Sequence, residues 1–352
     1  MTSDALPSAS PKQSTMEAIL LVGGKGTRLH PLTLNTPKPM LKVAGIPFIA
    51  HQIAYARKHG ISRIVVATSY KSEQFLDYLG DGSSFGVEIV FAIESEPLGT
   101  GGAIANAAAL LDSEADQPIA ILNGDILSAH DISAQILLHE QMSADATLHL
   151  VEVADARAYG SVPTDTHGRI LEFIEKSENP PTSFINAGCY IFTREVLNRI
   201  PVGKVVSVER EVFPQLLSNK GRLWSYKSSD YWIDIGTPSA LLKASCDLVT
   251  GQFDSPAFAI NSTGTFIDER AQIERSAEIG AGSAIGASRI DARVRVERSL
   301  IGDGVVIEEG AIIADAIIGD GVVVGAGALV ANAVVAGLGV IVEPNSRQFG
   351  GQ

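Results

Sequence analysis

Two cations stand beside a glycine-rich turn near the start of the chain. The turn, residues 23–28, has the sequence GGKGTR and ends in Arg28, and Lys38 follows within TPKP. Backbone N–H groups in such a turn can form a concave anion site, while Arg28 can bind two phosphate oxygens at once and Lys38 adds a point charge. Glycine-rich turns are also common between a strand and a helix, with solvated cations. These residues alone leave both interpretations open.

The spacing of the turn excludes two widespread phosphate-binding motifs. No Gly-Lys-Ser/Thr triplet stands where a Walker A loop requires it, and Leu29 occupies the place of the third glycine of a dinucleotide fingerprint. A phosphate site at this turn must therefore be of another kind.

The elements that would position these residues alternate along the first half of the chain. The predicted strands are 17–22, 63–68, 87–93, 119–122 and 146–153. The predicted helices are 47–59, 71–79, 101–111 and a segment near 131–142. Apolar strands that alternate with helices predict a mostly parallel sheet covered on both faces, with its ligand beyond the carboxyl ends of the strands.

A different pattern begins after about residue 265. Aliphatic residues recur every five or six positions from Ile267 to Ile341, and no aromatic residue occurs between Phe266 and Phe349. Six is a multiple of the strand period but not of the helical turn, so the repeat predicts a solenoid of short strands. The uncharged stretch 321–342 is long enough to cross a bilayer, but its five glycines and its continuity with the repeat favour solenoid strands.

Composition narrows the classes of partner. The 352 residues carry a formal net charge of −13, which argues against nucleic acid or an anionic membrane as partner. Cys189 and Cys246 cannot form a disulfide framework or a zinc site, so we expect two buried thiols and a cytoplasmic protein. Residues 2–15 are rich in Ser and Pro and have no apolar core, which indicates a disordered tail and not a signal peptide.

Six motifs in a fixed order resemble those of one family. They are GGKGTRLHPLT…TPKPML from residue 23, ESEPLGTGG at 94–102, NGD at 123–125, EK at 175–176, NAG at 186–188 and WIDIGT at 232–237. This set resembles the nucleoside-diphosphate-sugar pyrophosphorylases, or sugar-1-phosphate nucleotidyltransferases, and most of all the mannose-1-phosphate guanylyltransferase branch. The hexad repeat resembles the left-handed β-helix that many members carry.

The resemblance implies a fold and a reaction. The expected fold is α/β, a Rossmann-like (GT-A-like) nucleotidyltransferase domain with a mixed, mostly parallel sheet, followed by a C-terminal left-handed parallel β-helix of hexapeptide repeats. The expected reaction converts GTP and α-D-mannose 1-phosphate to GDP-mannose and diphosphate. It proceeds by in-line attack of the sugar phosphate on the α-phosphorus with Mg²⁺, and it needs charge neutralisation and positioning more than proton transfer.

The resemblance also assigns roles to residues. The expected catalytic residues are Arg28, Lys38, Asp125 and Asp234, with Asp125 and Asp234 as oxygen ligands of Mg²⁺. The expected nucleotide-binding residues are Leu21, Gly23, Gly24, Gly26, Thr27, Glu94, Gly99 and Thr100. The expected sugar-phosphate-binding residues are Gly160, Glu175, Lys176 and Asn186. Taken singly, the aspartates would equally suit a turn and a helix cap. Ser207 and Glu209 are interpreted only as a helix N-cap and an early acidic residue.

One residue bears on the choice of base. Glu94 stands where relatives that bind thymine or uracil typically have Gln. Guanine presents two adjacent donors on its Watson–Crick edge, which a carboxylate accepts together, whereas an amide suits uracil better. We therefore expect Glu94 to select GTP, although an exposed glutamate at a strand end is the simpler alternative.

Three other functions compete with this one. The first is a guanylyl-, uridylyl- or thymidylyltransferase for another sugar 1-phosphate, such as manno-heptose or glucose. The second is a non-catalytic nucleotide-sugar-binding regulatory subunit, which we would expect to lack one of the four catalytic residues. The third is an acyltransferase, but the last histidine is His167, so the solenoid has no candidate base.

The expected domains are a disordered tail at 1–15, a catalytic domain at 16–245, a linker at 246–264 and a β-helix at 265–345. The expected partners are GTP and a sugar 1-phosphate, without nucleic acid or membrane. An uncapped solenoid end is a natural self-association surface, so we also expect a homo-oligomer.

Overall fold

The computed structural model describes residues 16–174, 176–337 and 339–350. The expected N-terminal tail and Glu175 lie outside the described residues.

A seven-stranded mixed sheet forms the centre of the first half of the chain. Its strands are β1 Met16–Leu21, β4 Ile61–Thr68, β5 Glu88–Ile93, β6 Pro118–Asn123, β8 Ala146–Glu152, β9 Phe184–Thr193 and β10 Leu223–Ser228. The order is β10-β8-β9-β6-β1-β4-β5. Only β9 runs antiparallel to its neighbours, so the sheet is mostly parallel as predicted.

Helices cover both faces of this sheet. They are α1 Phe48–Lys58, α2 Ser72–Leu79, α3 Gly99–Ala108, α4 Ile132–Gln141, α5 Arg194–Asn198, α6 Phe213–Ser218 and α7 Pro238–Val249. The side chains of β1 alternate between the two layers, since Ile19 packs with α3 whereas Ala18 and Leu20 pack with α1. The elements predicted from the sequence are confirmed to within about three residues at each end.

Two short antiparallel pairs lie outside the central sheet. One is the hairpin of β2 Lys42–Val43 and β3 Ile46–Pro47, which precedes α1. The other joins β7 Ile126–Ser128 to β11 Trp232–Asp234, pairing Ile126 with Asp234. The sequence did not predict either pair.

The last quarter of the chain, from Phe266 onward, is a β-helix of three stacked parallel sheets. The strands of the first sheet are β12 Phe266–Ile267, β15 Ala284–Ile285, β18 Leu300–Ile301, β21 Ile317–Ile318 and β24 Val334–Val335. The second has β13 Gln272–Ile273, β16 Arg289–Ile290, β19 Val306–Ile307, β22 Val323–Val324 and β25 Ile341–Val342. The third has β14 Glu278–Ile279, β17 Arg295–Glu297, β20 Ile312–Ala314, β23 Leu329–Ala331 and β26 Arg347–Phe349. The solenoid predicted from the hexads, and the left-handed parallel β-helix that the resemblance implies, are confirmed.

The hexad register fails near the C-terminal end of the solenoid. Ile341 points outward and is 60% exposed, whereas Val342 is fully buried, because seven residues and not six separate Val335 from Val342. Ile267 pairs in register with buried Ile285 yet is 45% exposed, since β12 is an edge strand and no coil covers that end.

The catalytic half packs on the outer face of the first solenoid sheet. Leu241 and Leu248 of α7 share an apolar core with Ala284, Leu300 and Ile317. This helix also carries Cys246, which is half-buried and donates from Sγ to the carbonyl of Gly282 at 3.1 Å. The expectation of two buried thiols therefore holds for Cys189 but not for Cys246.

No helix among the described residues is long and apolar enough to span a membrane. Residues 321–342, as far as they are described, form solenoid strands.

Candidate active site

A cavity of about 330 Å³ lies at the carboxyl ends of four parallel strands. Leu21 ends β1, Ser69 follows β4, Glu94 follows β5 and Asn123 ends β6, and all four residues line the cavity. This is the place at which a parallel sheet is expected to bind its ligand. Of the predicted nucleotide-binding residues, those lining the cavity are Leu21, Gly23, Gly24, Glu94, Gly99 and Thr100.

The glycine-rich turn leaves β1 and folds back on the segment that carries Lys38. Gly26 has φ +62°, in the left-handed region, and a Cβ there would lie 3.1 Å from Lys38 Cβ. The Thr33 hydroxyl donates to the Gly26 carbonyl at 2.9 Å, which fixes this return. Gly24 has no heavy atom within 4 Å of the position that a Cβ would take, so its backbone borders open space in the cavity.

The two predicted metal ligands approach one another through the second antiparallel pair. Gly124 N donates to the Leu21 carbonyl, which places Asp125 just beyond the end of β1. Asp234 ends β11, and the next backbone N–H, that of Ile235, donates to the Asp125 carbonyl at 3.0 Å. Tertiary pairing therefore joins residues that are far apart in the sequence.

Lys38 lies between these two carboxylates. Its Nζ donates to Asp125 Oδ2 at 2.8 Å and to Asp234 Oδ1 at 3.3 Å, and the residue is 7% exposed. A buried ammonium needs such partners, because an unpaired buried charge is costly. The structure thus brings together three of the four predicted catalytic residues.

Arg28 is on the exposed rim of the same site. A Cβ on Gly236 would lie 2.7 Å from Arg28 Nη2 and 3.0 Å from Asp234 Oδ1, so this glycine lets the guanidinium approach the aspartate. Arg28 does not line the cavity of about 330 Å³, and the same is true of Gly26 and Thr27.

Glu94 is buried at the base of the first cavity. Its side chain is part of a residue only 8% exposed, and Oε2 accepts from Leu98 N at 3.2 Å while Oε1 has no hydrogen-bond partner. Burial raises the pKa of this carboxyl, against the hydrogen bond from Leu98. A buried acceptor without a donor is what a ligand with N–H groups would complete. The alternative of an exposed glutamate is wrong.

A second cavity, of about 530 Å³, adjoins the first and shares Gly99, Thr100, Asn123 and Asp125 with it. The predicted sugar-phosphate residues that line it are Gly160, Lys176 and Asn186. The Asn186 amide donates to Tyr190 Oη at 2.8 Å, whereas Lys176 is exposed. The expectation for Glu175 falls on a residue outside the described part of the chain.

Glu209 does more than the predicted helix cap requires. Ser207 does cap the segment Val208–Val212, accepting from Arg210 N, as predicted. Glu209 also lines the second cavity and accepts hydrogen bonds from Thr100 Oγ1 at 3.0 Å and from Ser207 Oγ at 3.1 Å. It therefore joins the beginning of α3 to the wall of the second cavity.

Two aromatic residues of the second cavity were also missed. Tyr159 and Trp232 meet edge to face with ring centroids 5.9 Å apart, and Trp232 Nε1 donates to the Ala187 carbonyl. Burial, and next the charge of Asp234, raise the pKa of Tyr159. The only sequence signal was the position of Trp232 two residues before Asp234.

Comparison with known proteins agrees with this geometry. The nucleotidyl transferase family model matches residues 17–251. The chain belongs to the nucleotidyl transferase family. A second model, described as the GMPPB C-terminal domain, matches residues 262–347, which include the solenoid.

Curated relatives of this nucleotidyl transferase extend over both halves of the chain. It is 44% identical over 300 residues to a mannose-1-phosphate guanylyltransferase of Mycobacterium tuberculosis, covering 85% of this chain and 83% of that protein. It is 36% identical to the mannose-1-phosphate guanylyltransferase catalytic subunit beta of Drosophila pseudoobscura pseudoobscura, covering 76% of this chain and 71% of that protein.

Solved structures match about two thirds of the chain. The crystal structure of HddC from Yersinia pseudotuberculosis is 31% identical with a TM-score of 0.57, covering 66% of this chain and 98% of that one. A putative glucose-1-phosphate thymidylyltransferase from Bacillus anthracis has a TM-score of 0.61 at 23% identity, and covers 69% of this chain and 99% of that one, which shows the fold alone.

The donor set suits the divalent metal that nucleotidyltransferases of this family generally use. Asp125 and Asp234 direct carboxylate oxygens at one cation, here the Lys38 ammonium. Within residues 16–174, 176–337 and 339–350, no third His, Cys, Asp or Glu completes a metal cluster. Two carboxylates, with substrate phosphates and water as further ligands, match the way Mg²⁺ is bound in phosphoryl-transfer sites.

Proposed function

We propose that this nucleotidyl transferase is a mannose-1-phosphate guanylyltransferase, which converts GTP and α-D-mannose 1-phosphate to GDP-mannose and diphosphate. The observation that best supports this proposal is that the two cavities meet at Asp125, with Lys38 and Asp234 beside it. The 44% identity to the M. tuberculosis guanylyltransferase over most of both chains supports the choice of substrates.

In this proposal the nucleotide occupies the first cavity and the sugar phosphate the second. Glu94 accepts the N1–H and N2–H₂ donors of guanine, because its Oε1 has no partner inside the protein. Gly23 and Gly24 border the triphosphate with backbone groups. Gly160 and Asn186 border the sugar, and Lys176 on the cavity wall meets its phosphate.

The residues at the junction then support the transfer. One oxygen of the sugar phosphate attacks the α-phosphorus of GTP, the bond from that phosphorus to the β-phosphate oxygen breaks, and diphosphate leaves. Lys38 supplies positive charge at the reacting phosphates, and Arg28 on the rim attracts the departing diphosphate. Mg²⁺ bound by Asp125 and Asp234 would supply Lewis-acid charge and a template between the two substrates.

The last strands of the solenoid expose large apolar side chains. Ile341 and Phe349 of the last solenoid strands are 60% and 62% exposed, a surface that would be covered in a homo-oligomer. Light scattering would measure the mass of the assembly directly.

The two free cysteines suit the reducing cytoplasm, where we place the protein.

Diphosphate release, measured over a panel of nucleoside triphosphates and sugar 1-phosphates, tests the function. We expect the highest kcat/KM for GTP with mannose 1-phosphate, and loss of turnover when Mg²⁺ is chelated. A higher kcat/KM with a manno-heptose or glucose 1-phosphate would reassign the substrate. Tight binding of nucleotide sugar without turnover of any pair would point to a regulatory subunit.

A further inference from the structure

The catalytic half contacts the solenoid through a residue that lies close to the catalytic lysine in the sequence. Lys42, four residues after Lys38, donates from Nζ to Asp303 Oδ2 at 2.5 Å, and Asp303 belongs to the corner that follows β18. The two residues are 261 positions apart in the sequence. An ion pair thus connects the signature segment to the repeat domain.

Lys42 belongs to the hairpin of β2 and β3, residues 42–47. The tip of this hairpin contacts β12, the first solenoid strand. Gly45 has φ +77°, and a Cβ at this residue would lie 2.0 Å from a ring carbon of Phe266. Only glycine permits this approach. The preceding residue, Ala44, donates its N–H to Ser245 Oγ of α7 at 3.0 Å. The hairpin is therefore held at its tip by the solenoid and by α7.

Hydrogen bonds to neighbouring coils hold Asp303 in place independently of its contact with Lys42. Its Oδ1 accepts from Ala287 N at 3.1 Å, and its own N–H donates to Asp320 Oδ1 at 2.8 Å. Both partners belong to neighbouring coils of the solenoid. A carboxylate fixed in this way gives the lysine one defined position, whereas a mobile partner would not.

Two backbone hydrogen bonds connect Leu41, just before the hairpin, to the turn that carries Lys38 and to α1. Lys38–Met40 is a 3₁₀ turn that ends with Leu41 N donating to the Lys38 carbonyl at 3.1 Å. The Leu41 carbonyl in turn accepts from Phe48 N, the first residue of α1, at 3.0 Å. Between these two bonds lies the hairpin that the solenoid holds.

We propose that the solenoid positions the catalytic lysine, with Asp303, Lys42 and Phe266 as positioning residues that act through the hairpin of residues 42–47. The inference rests on the proposed function, because Lys38 must serve the reacting phosphates. It gives the repeat domain a part in the reaction. A displacement of about 1 Å in a catalytic group can cost on the order of 100-fold in rate.

Two substitutions test the proposal, Lys42→Met and Asp303→Asn. Each removes one ion pair whose side chains are 38% and 36% exposed. A pair that solvent reaches adds little to folding stability, so we expect the Tm to change by no more than about 3 °C. Each should lower kcat with GTP and mannose 1-phosphate by about ten-fold or more, while the KM for GTP changes little. The double variant should be no slower than the slower single variant. Lys42→Arg, which still reaches Asp303, should restore most of the rate.

The solenoid offers a matched control. Arg298 and Asp315 form a bidentate ion pair between coils, with N–O distances of 2.7 and 2.5 Å. Among the described residues, no hydrogen bond or ion pair joins either side chain to the hairpin of residues 42–47. Arg298→Met should leave kcat within about two-fold of the wild type, because this pair also reaches solvent but does not hold the hairpin that follows Lys38. Hydrogen exchange of the peptide that spans residues 36–48 should rise in Lys42→Met and Asp303→Asn and not in Arg298→Met.

The outcomes separate the two proposals. If the wild type turns over no GTP and sugar pair, the proposed function fails, and the exchange data still decide whether the solenoid orders the hairpin. If the wild type is active and both variants keep its kcat, or if Arg298→Met loses as much as they do, the positioning role is refuted. Unchanged exchange of residues 36–48 in both variants also refutes it.

Discussion

The ammonium of Lys38 lies 2.8 Å from the carboxylate of Asp125, on an oxygen that a metal ion would need. The same Nζ is 3.3 Å from Asp234. A metal ion held by Asp125 and Asp234, as in the proposed function, would therefore compete with Lys38 for the same two carboxylates. A bound triphosphate would offer Lys38 another anionic partner, which would link metal binding to nucleotide binding.

Removing this lysine should strengthen metal binding in the absence of nucleotide. Because a unit charge that close repels a divalent ion, Lys38→Met should bind Mn²⁺ at least about ten-fold more tightly than the wild type. The same variant should lose most of its kcat, since the phosphates lose a neutralising charge. Paramagnetic titration with Mn²⁺ measures the affinity. Lys58→Met, which removes an exposed lysine over the Tyr55 ring, is the control. Equal Mn²⁺ affinity in wild type and Lys38→Met would contradict the competition.

The buried carboxylate of Glu94 should decide the base. Glu94→Gln replaces one of two acceptors by a donor, which mispairs with guanine. The transition state with GTP should lose about 1–3 kcal/mol of stabilisation, so kcat/KM for GTP should fall by roughly 5- to 150-fold. The GTP to UTP preference should fall with it. Glu96→Gln, at an exposed residue two positions on, is the matched control. An unchanged preference in Glu94→Gln would assign base selection elsewhere.

The sequence predicted most of what depends on local patterns. Apolar runs and flanking Gly and Pro residues placed α1 and α2 within about a residue of their observed ends, and the hexads predicted the solenoid. The register was lost near β25, where one extra residue precedes two apolar neighbours, Ile341 and Val342, and the pattern fits either of them.

What it missed depends on contacts between distant residues. Glu209 meets Thr100 across 109 positions, and the local pattern from Ser207 onward is fully explained by a helix cap. The pairing of Asp234 with Ile126 likewise has no local signal, although it brings the two aspartates together. Site geometry of this kind becomes visible only when the chain is folded.

The bond between Glu209 and Thr100 should matter to turnover. Glu209→Ala removes a charged acceptor from Thr100 and leaves the start of α3 without this tie, so kcat/KM for the sugar phosphate should fall by about ten- to a hundred-fold. Thr100→Val should lose a similar factor, and the double variant should lose less than the product of the two losses, because both substitutions remove the hydrogen bond that the two residues share. Thr100→Ser keeps the hydroxyl and serves as the control. Additive losses in the double variant would show that the two residues act separately.

Two stacked histidines should make the fold sensitive to acid. The rings of His130 and His149 lie 3.8 Å apart, and burial lowers the pKa of His130 to about 4 and that of His149 to about 2. Both are neutral when folded, but in the unfolded chain they take up protons below a pKa of 6.5. Stability is therefore fully present above pH 6.5 and falls toward pH 4, by about 1.4 kcal/mol per pH unit for each histidine.

Urea unfolding between pH 7 and pH 4.5 measures this slope. His149→Phe keeps an aromatic ring against His130 but cannot take up a proton, so its free energy of unfolding should depend on pH more weakly than that of the wild type, by about one proton. The comparison uses the slope of the unfolding free energy against pH and not the urea midpoint at one pH. The midpoint also changes because the variant loses the hydrogen bond between His149 and Ser228 at every pH. His167→Phe, at an exposed turn, should keep the wild-type slope. If His149→Phe unfolds with the wild-type pH dependence, the neutral buried pair is not the source of the acid sensitivity.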